Sequence, residues 1–342
     1  MTKTTRWMTA AAIFTATAAT AADTSAWKEL ARHRLGGSGG WDLLVVDATS
    51  RHVFITRGDR LMVADVDSGK PVGEVPGLQR AHGVALVPSL HRGFVSSGGD
   101  DKVVAFDLAT LKPEADIPTG KNPDAMLYDA ASGHVFVFNG KSNDATVIDP
   151  VKNAAVATIS LPGKPELAVG NGHGKVFVNL EDKNQIAEID TKSNTVTTSW
   201  SLGTCEEPTG LAIDAAHARL FSVCANKQMA VLDASNGKVV ATVPIGDGPD
   251  GATFDPASGN AFSSNSDGTL TVVHEASPDH FRVIATVATP ARSRTITLDE
   301  KTYHVVLPMA EFGPAPASSA QESHPRPAMK ADSFGFVVVG KS

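Results

Sequence analysis

The sequence predicts an all-β fold, a seven-bladed β-propeller of four-stranded antiparallel blades, and three observations carry that expectation. Asp65, Asp107, Asp149, Asp190 and Asp233 recur 42, 42, 41 and 43 residues apart, and His274 takes the same slot 41 further on. Pro123, Pro165, Pro208 and Pro249 keep the same step. Between these markers lie short runs rich in Val, Ile, Phe and Thr, bounded by Gly, Pro, Asn, Asp or Ser. A period in this range, built from β-type runs, marks a propeller blade rather than a helical solenoid.

The third unit shows the pattern most clearly. Pro123-Asp124 opens a turn, 125–128 forms a first strand, and Asp129 to Gly133 makes a hairpin turn. Residues 134–138, 145–149 and 155–159 supply three further strands separated by turn-forming residues, as tightly connected antiparallel strands require. The same register divides the chain into units near 41–81, 82–122, 123–164, 165–207, 208–248, 249–291 and 292–342. The seventh lacks a fourth strand of its own. The segment 27–35, within a closing strand and linker at 23–40, is expected to supply that strand and close the ring, which would remove an exposed sheet edge. Residues 23–342 are thus read as one propeller domain, despite a length of 342 residues that would otherwise suggest two.

Ahead of the repeats, Lys3 and Arg6 precede an Ala-rich apolar run from Met8 to Ala19 and small residues up to Ala22. This is the form of a cleavable signal peptide over 1–22, so the mature chain is expected to be exported, with the periplasm as the expected compartment from the resemblance given below. The run is too short for a membrane span. Its loss, with Lys3 and Arg6, takes the formal charge from −7 to −9. An acidic chain without a basic patch argues against nucleic acid as a partner. A monomer that engages a small-molecule ligand or a periplasmic protein is expected.

The second strands carry Val53-Phe-Ile-Thr, Val135-Phe-Val-Phe, Val176-Phe-Val-Asn and Leu220-Phe-Ser-Val, followed by third strands such as Ala145-Thr-Val-Ile-Asp149. This resembles the YVTN repeat of the YncE-like family of bacterial periplasmic seven-bladed propellers, over essentially all of 27–342. The resemblance implies fold and location, and it leaves function open because the fold hosts many activities. More distant propellers with related repeats bind d1-type haem or serve in quinone-dependent amine dehydrogenases. The absence of Cys-x-x-Cys-His excludes covalent c-type haem here.

In a blade, the turn before strand one and the turn between strands two and three emerge on one face. At the first of these turns, the position after the recurrent proline holds Asp42, Gly83, Asp124, Glu166, Thr209, Asp250 and Arg294, with Trp41 and His82 in the proline slot. Trp41, Asp42, His82, Asp124, Glu166, Asp250 and Arg294 therefore form the candidate ligand-binding set. Asp42, Asp124, Glu166 and Asp250 could hold a divalent metal ion, since hard cations need several oxygens. The competing reading is that Asp after Pro is good turn chemistry. Cys205 and Cys224 fall on the same face, and out-and-back travel along two short strands brings them together. A disulfide closing that loop would contribute roughly 3 kcal/mol.

An insert over 309–332 in the seventh unit lies above the same mouth, with Glu311, Phe312 and His324 as its contact residues if it acts as a lid. Other matches fail on context. Gly36-Gly-Ser-Gly-Gly40 has the letters of a nucleophile elbow without the strand-to-helix turn and reads as a flexible turn. His274-Glu275 and His280 read as a solvated turn on the opposite face. The residues support a non-catalytic binder first. A metal-assisted hydrolase or lyase is the alternative, with His82 as the proton-transfer group and Arg294 holding an anionic substrate. An accessory subunit of a periplasmic redox system is the third reading.

Overall fold

The computed structural model describes residues 27–314 and 327–341. The expected signal peptide at 1–22 and His324 lie outside these residues. Within them the chain is all-β apart from two 3-10 turns, at Pro88–Leu90 and Glu181–Lys183, and it forms a β-propeller. The cause is visible in burial along one blade. The second strand His134–Asn139 is buried at five of six positions, because neighbouring sheets cover both its faces, whereas the outermost strand Ala154–Ser160 buries only Ile159. Near-continuous apolar runs inside and mixed runs outside are what radially stacked sheets demand.

The sheets depart from the expected seven blades. Hydrogen bonding among the described residues resolves six, of which five are four-stranded and one is six-stranded. In the six-stranded sheet Pro71–Val87 runs unbroken across the boundary between the first two sequence units. Ala81 pairs with Gly58 on one side and Ser97 on the other. Four later units begin their first strand at a proline, Pro123, Pro165, Pro208 or Pro249. Proline has no N–H to give the ladder and so opens a new strand. Ala81 stands in that slot in the second unit, pairing with Ser97 as Pro123 pairs with Asn139, keeps its N–H, and lets the strand continue; His82, expected in the proline slot, takes the place of Asp124 instead.

Nor does the N-terminal strand close the ring. Trp27–Arg34 pairs with Gly335–Lys341 as the outermost strand of the last sheet. Three strand spacings, roughly 14 Å, separate that position from the sheet's inner strand, too far out to join it to the first sheet. The seam is made instead by Thr297–Asp299 packing on Leu44–Asp47. Thr295 Oγ1 donates to Asp42 O at 2.9 Å, and Arg51 grips Asp299 through bonds of 2.6 and 2.7 Å. A shared apolar cluster, including Ile55, Val306 and Phe336, fills the space beneath.

The periodic aspartates prove to be turn caps on the far face. Asp107, Asp149 and Asp190 each accept bonds from backbone N–H groups two and three residues on, and Asp65 and Asp233 cap their turns in similar ways. This local chemistry stabilises a tight turn wherever Asp precedes one.

Candidate functional site

The turns before the first strands converge on one cavity of about 350 Å³, lined among others by Asp42, His82, Asp124, Glu166, Asp250 and Arg294. Six of the seven ring residues singled out from the sequence therefore share one space. Trp41 lies next door, in a second cavity of about 410 Å³ with Phe312, Arg292 and Arg294, and the two spaces share Ser266 and Arg294. One half is acidic. The other is cationic and aromatic.

The scaffold holds these residues through their backbones. The fourth letter of the Val-Phe repeat is polar in four units and reaches a mouth carbonyl in a neighbouring unit: Thr56 Oγ1 donates to His82 O and Ser96 Oγ to Asp124 O, each at 2.9 Å. Asn179 Nδ2 donates to Thr209 O at 3.0 Å, and Ser264 Oγ donates to Arg294 O. Gly83 is a further requirement, since a Cβ there would collide with the Asp124 carbonyl oxygen. Its absence lets the second unit carry His82 close to Asp124.

His82 Nδ1 lies 2.7 Å from Asp42 Oδ2 and 4.0 Å from Asp124 Oδ1. Burial lowers the histidine's pKa, but the Asp42 hydrogen bond and the charges of Asp124 and Asp42 outweigh it, so the net shift is upward. Its Nε2 is buried without a partner. Burial pushes Asp124 up to about 6 against the pull of His82, and Asp250 up to about 7 against that of Arg294. Glu166 also rises to about 7 through burial, although Lys164 Nζ sits 2.8 Å from it. Lys164 is held as well by Glu181. Arg294 Nε stands 3.2 Å from Asp250.

The four carboxylates expected to share a metal are thus divided. Among the described residues, Asp42, His82 and Asp124 bring ligand atoms within 4.8 Å of one another. Glu166 and Asp250 are instead paired with Lys164 and Arg294. The insert meets the rim at its roots, where Phe312 bridges to Met329, and its ring lies 6.0 Å from Trp41 and 5.0 Å from the Arg292 guanidinium. Glu311 points away to Arg34 and Lys330. Cys205 and Cys224 form the disulfide, with Cα atoms 5.6 Å apart.

Arg57 lies outside the residues singled out from the sequence. Its side chain is fully buried and donates to the carbonyls of Ser38, Gly39 and Gly40 at 2.7, 3.0 and 3.2 Å, with Phe334 3.5 Å beneath the guanidinium. Burial lowers its pKa to about 10. The Gly36–Gly40 segment is therefore wrapped round a buried cation, and its glycines supply carbonyls and turns rather than slack. A basic residue directly after an apolar strand, Val53-Phe-Ile-Thr-Arg57, was the available signal.

No family model matches the chain, and no curated protein matches it. Among solved structures it is similar to the Kuenenia stuttgartiensis hydrazine synthase, with a TM-score of 0.68 and 16% identity, over 78% of this chain and 92% of that one. At that identity the likeness shows the fold alone, a β-propeller. The disulfide is of the kind that persists in oxidising compartments. No helix among the described residues is long and apolar enough to cross a membrane.

Proposed function

We propose that the chain is an exported binding protein of the YVTN-repeat type whose acidic mouth takes a small amine that also carries an anionic or aromatic group. The observation that carries this reading is the paired cavity. Asp42, Asp124 and Asp250 line one half, and Arg292, Trp41 and Phe312 line the other. A cationic head suits desolvated carboxyls, and an acidic or aromatic tail suits a guanidinium flanked by rings. The insert root supplies part of the wall. Binding rather than catalysis is favoured because His82 holds Nδ1 on Asp42 while its Nε2 is enclosed, which leaves no ring nitrogen free for a substrate proton. Calorimetry against a panel of small amines and amino acids tests it. Affinity should rise from pH 5 to pH 8, because Asp124 and Asp250 ionise near 6 and 7. The D124N/D250N double variant should lose uptake, and retained uptake in that variant would move the ligand elsewhere.

A second reading, a divalent cation on Asp42, His82 and Asp124, is favoured by the closeness of their ligand atoms. Metal content of protein purified without chelators, compared with an H82A variant, separates the two. Export is supported by the disulfide and the form of residues 1–22; the mass of the mature N-terminus tests it.

A further inference from the structure

On the face opposite the mouth, one residue breaks the repeat in a way the turn chemistry leaves unexplained. The position after the periodic aspartate is Val66, Leu108, Pro150, Thr191 and Ala234 in five units, and Glu275 in the sixth. The equivalence is structural, since the backbone N–H at this position bonds the same turn in each of several blades: Val66 to Arg51 O, Thr191 to Gly174 O, Ala234 to Ala218 O and Glu275 to Gly259 O. Where His274 replaces the capping aspartate, the strand runs on through Thr269–Ser277 and carries Glu275 into the seam. Its side chain is only 3% exposed and neither carboxylate oxygen has a hydrogen-bond partner.

Glu275 faces the preceding blade. There Asp214 ends the strand Pro208–Asp214, and its Oδ1 is used by the backbone N–H groups of Ala216 and His217 at 2.9 and 3.3 Å. Its Oδ2 lies 2.5 Å from His217 Nδ1, and Glu275 Oε1 lies 3.5 Å from the same nitrogen. Arg219 is the nearby cation, but it is committed to Pro278 O at 2.6 Å and to the carbonyls of His217 and Ala218. Two buried carboxylates and an imidazole that is half open to solvent therefore share one seam. A buried carboxylate without a partner is costly unless a proton or a cation neutralises it.

We infer that Asp214 Oδ2, His217 Nδ1 and Glu275 form a site for one zinc-class transition-metal ion that bridges the two blades. One nitrogen and two carboxylate donors suit zinc better than calcium or magnesium. The 3.5 Å edge already matches a tetrahedron whose metal–ligand distances are about 2.0 Å, and the 2.5 Å edge opens by under about 1 Å once the metal displaces the Nδ1 proton. The exposed side of His217 leaves a coordination position for water. The site is independent of the mouth and of the ligand proposed there.

The test is zinc titration of the full mature chain, stripped with chelator and followed by calorimetry and melting temperature. The unaltered protein should take up one zinc here and melt higher with it. H217A and E275V, the latter restoring the residue that the first unit carries as Val66, should weaken this step by more than about 100-fold, beyond what loss of an outer-sphere partner causes. The mouth variant D124N/D250N should keep it, so failure at either site is told apart from failure at the other. E275V should fold without metal at least as stably as the parent, because it removes an unpartnered charge. Zinc uptake unchanged in H217A and E275V, or no uptake at all, would overturn the site and leave Asp214 and Glu275 as a proton-sharing pair.

Discussion

Asp250 offers a direct way to measure the strain built into the mouth. Its carboxyl is 15% exposed, and burial raises its pKa from the usual range near 3.9 to about 7. The folded state therefore holds a proton that the unfolded chain gives up, so the penalty is absent below about pH 4, grows with pH, and is complete by about pH 7. The rise from about 3.9 to about 7 sets a ceiling of about 4 kcal/mol; solvent in the cavity and the half-exposed Arg294 reduce the working figure to about 2 kcal/mol. D250N keeps the shape and removes the ionisation, while forgoing an exposed ion pair worth at most about 1 kcal/mol. The variant should match the parent near pH 4 and exceed it by about 1–2 kcal/mol at pH 8, a rise of about 2–5 °C in melting temperature for a chain of this size. Urea midpoints and calorimetry at pH 4.5, 6, 7 and 8 measure the difference. A difference independent of pH, or a parent more stable at pH 8, would show that Arg294 compensates the carboxylate fully. The gain in stability should come with loss of ligand uptake, the usual exchange at a site kept for binding.

Two further outcomes follow from buried groups. R57M removes hydrogen bonds that fix Gly36–Gly40 and leaves the Gly39 and Gly40 carbonyls unpartnered while Ser38 O keeps Arg60, so chemical unfolding should show a loss of about 3 kcal/mol; a loss under about 1 kcal/mol would mean water replaces the guanidinium. Reduction of Cys205–Cys224, or the double alanine variant, should cost about 2–3 kcal/mol for a loop closed over 19 residues, read as a lower urea midpoint of the reduced against the unreduced chain.

How much of this was legible in the sequence depended on whether the responsible interaction was local. The caps at Asp107, Asp149 and Asp190 act on residues two or three further on, and the prolines opening strands act on their own missing N–H, so the repeat could be read with its turns in place. The convergence of Asp42, His82, Asp124, Glu166, Asp250 and Arg294 followed from the same periodicity, because equal positions in equal units must meet about one axis. What escaped was set between units. The merging of the first two units depends on Ala81 pairing both ways, and the missing proline at Ala81 was the mark it left. The position of the N-terminal strand was foreseen as a partner of the last sheet, but the seam was misassigned, because Arg51–Asp299 and Thr295–Asp42 join residues about 250 apart by side-chain bonds with no period. Arg294, on the blade next to Asp250, divided the expected metal set for the same reason, whereas Lys164 stands two residues before Glu166 and was legible in the sequence. Glu275 is the instructive case. Aligned within its own unit it is a polar residue beside a turn and reads as solvated, whereas the five apolar or small residues in the same slot show that the slot is interior. A carboxylate there is either neutralised or a defect, and that contrast between like repeats, more than any motif, is what points to Asp214 and His217 across the seam.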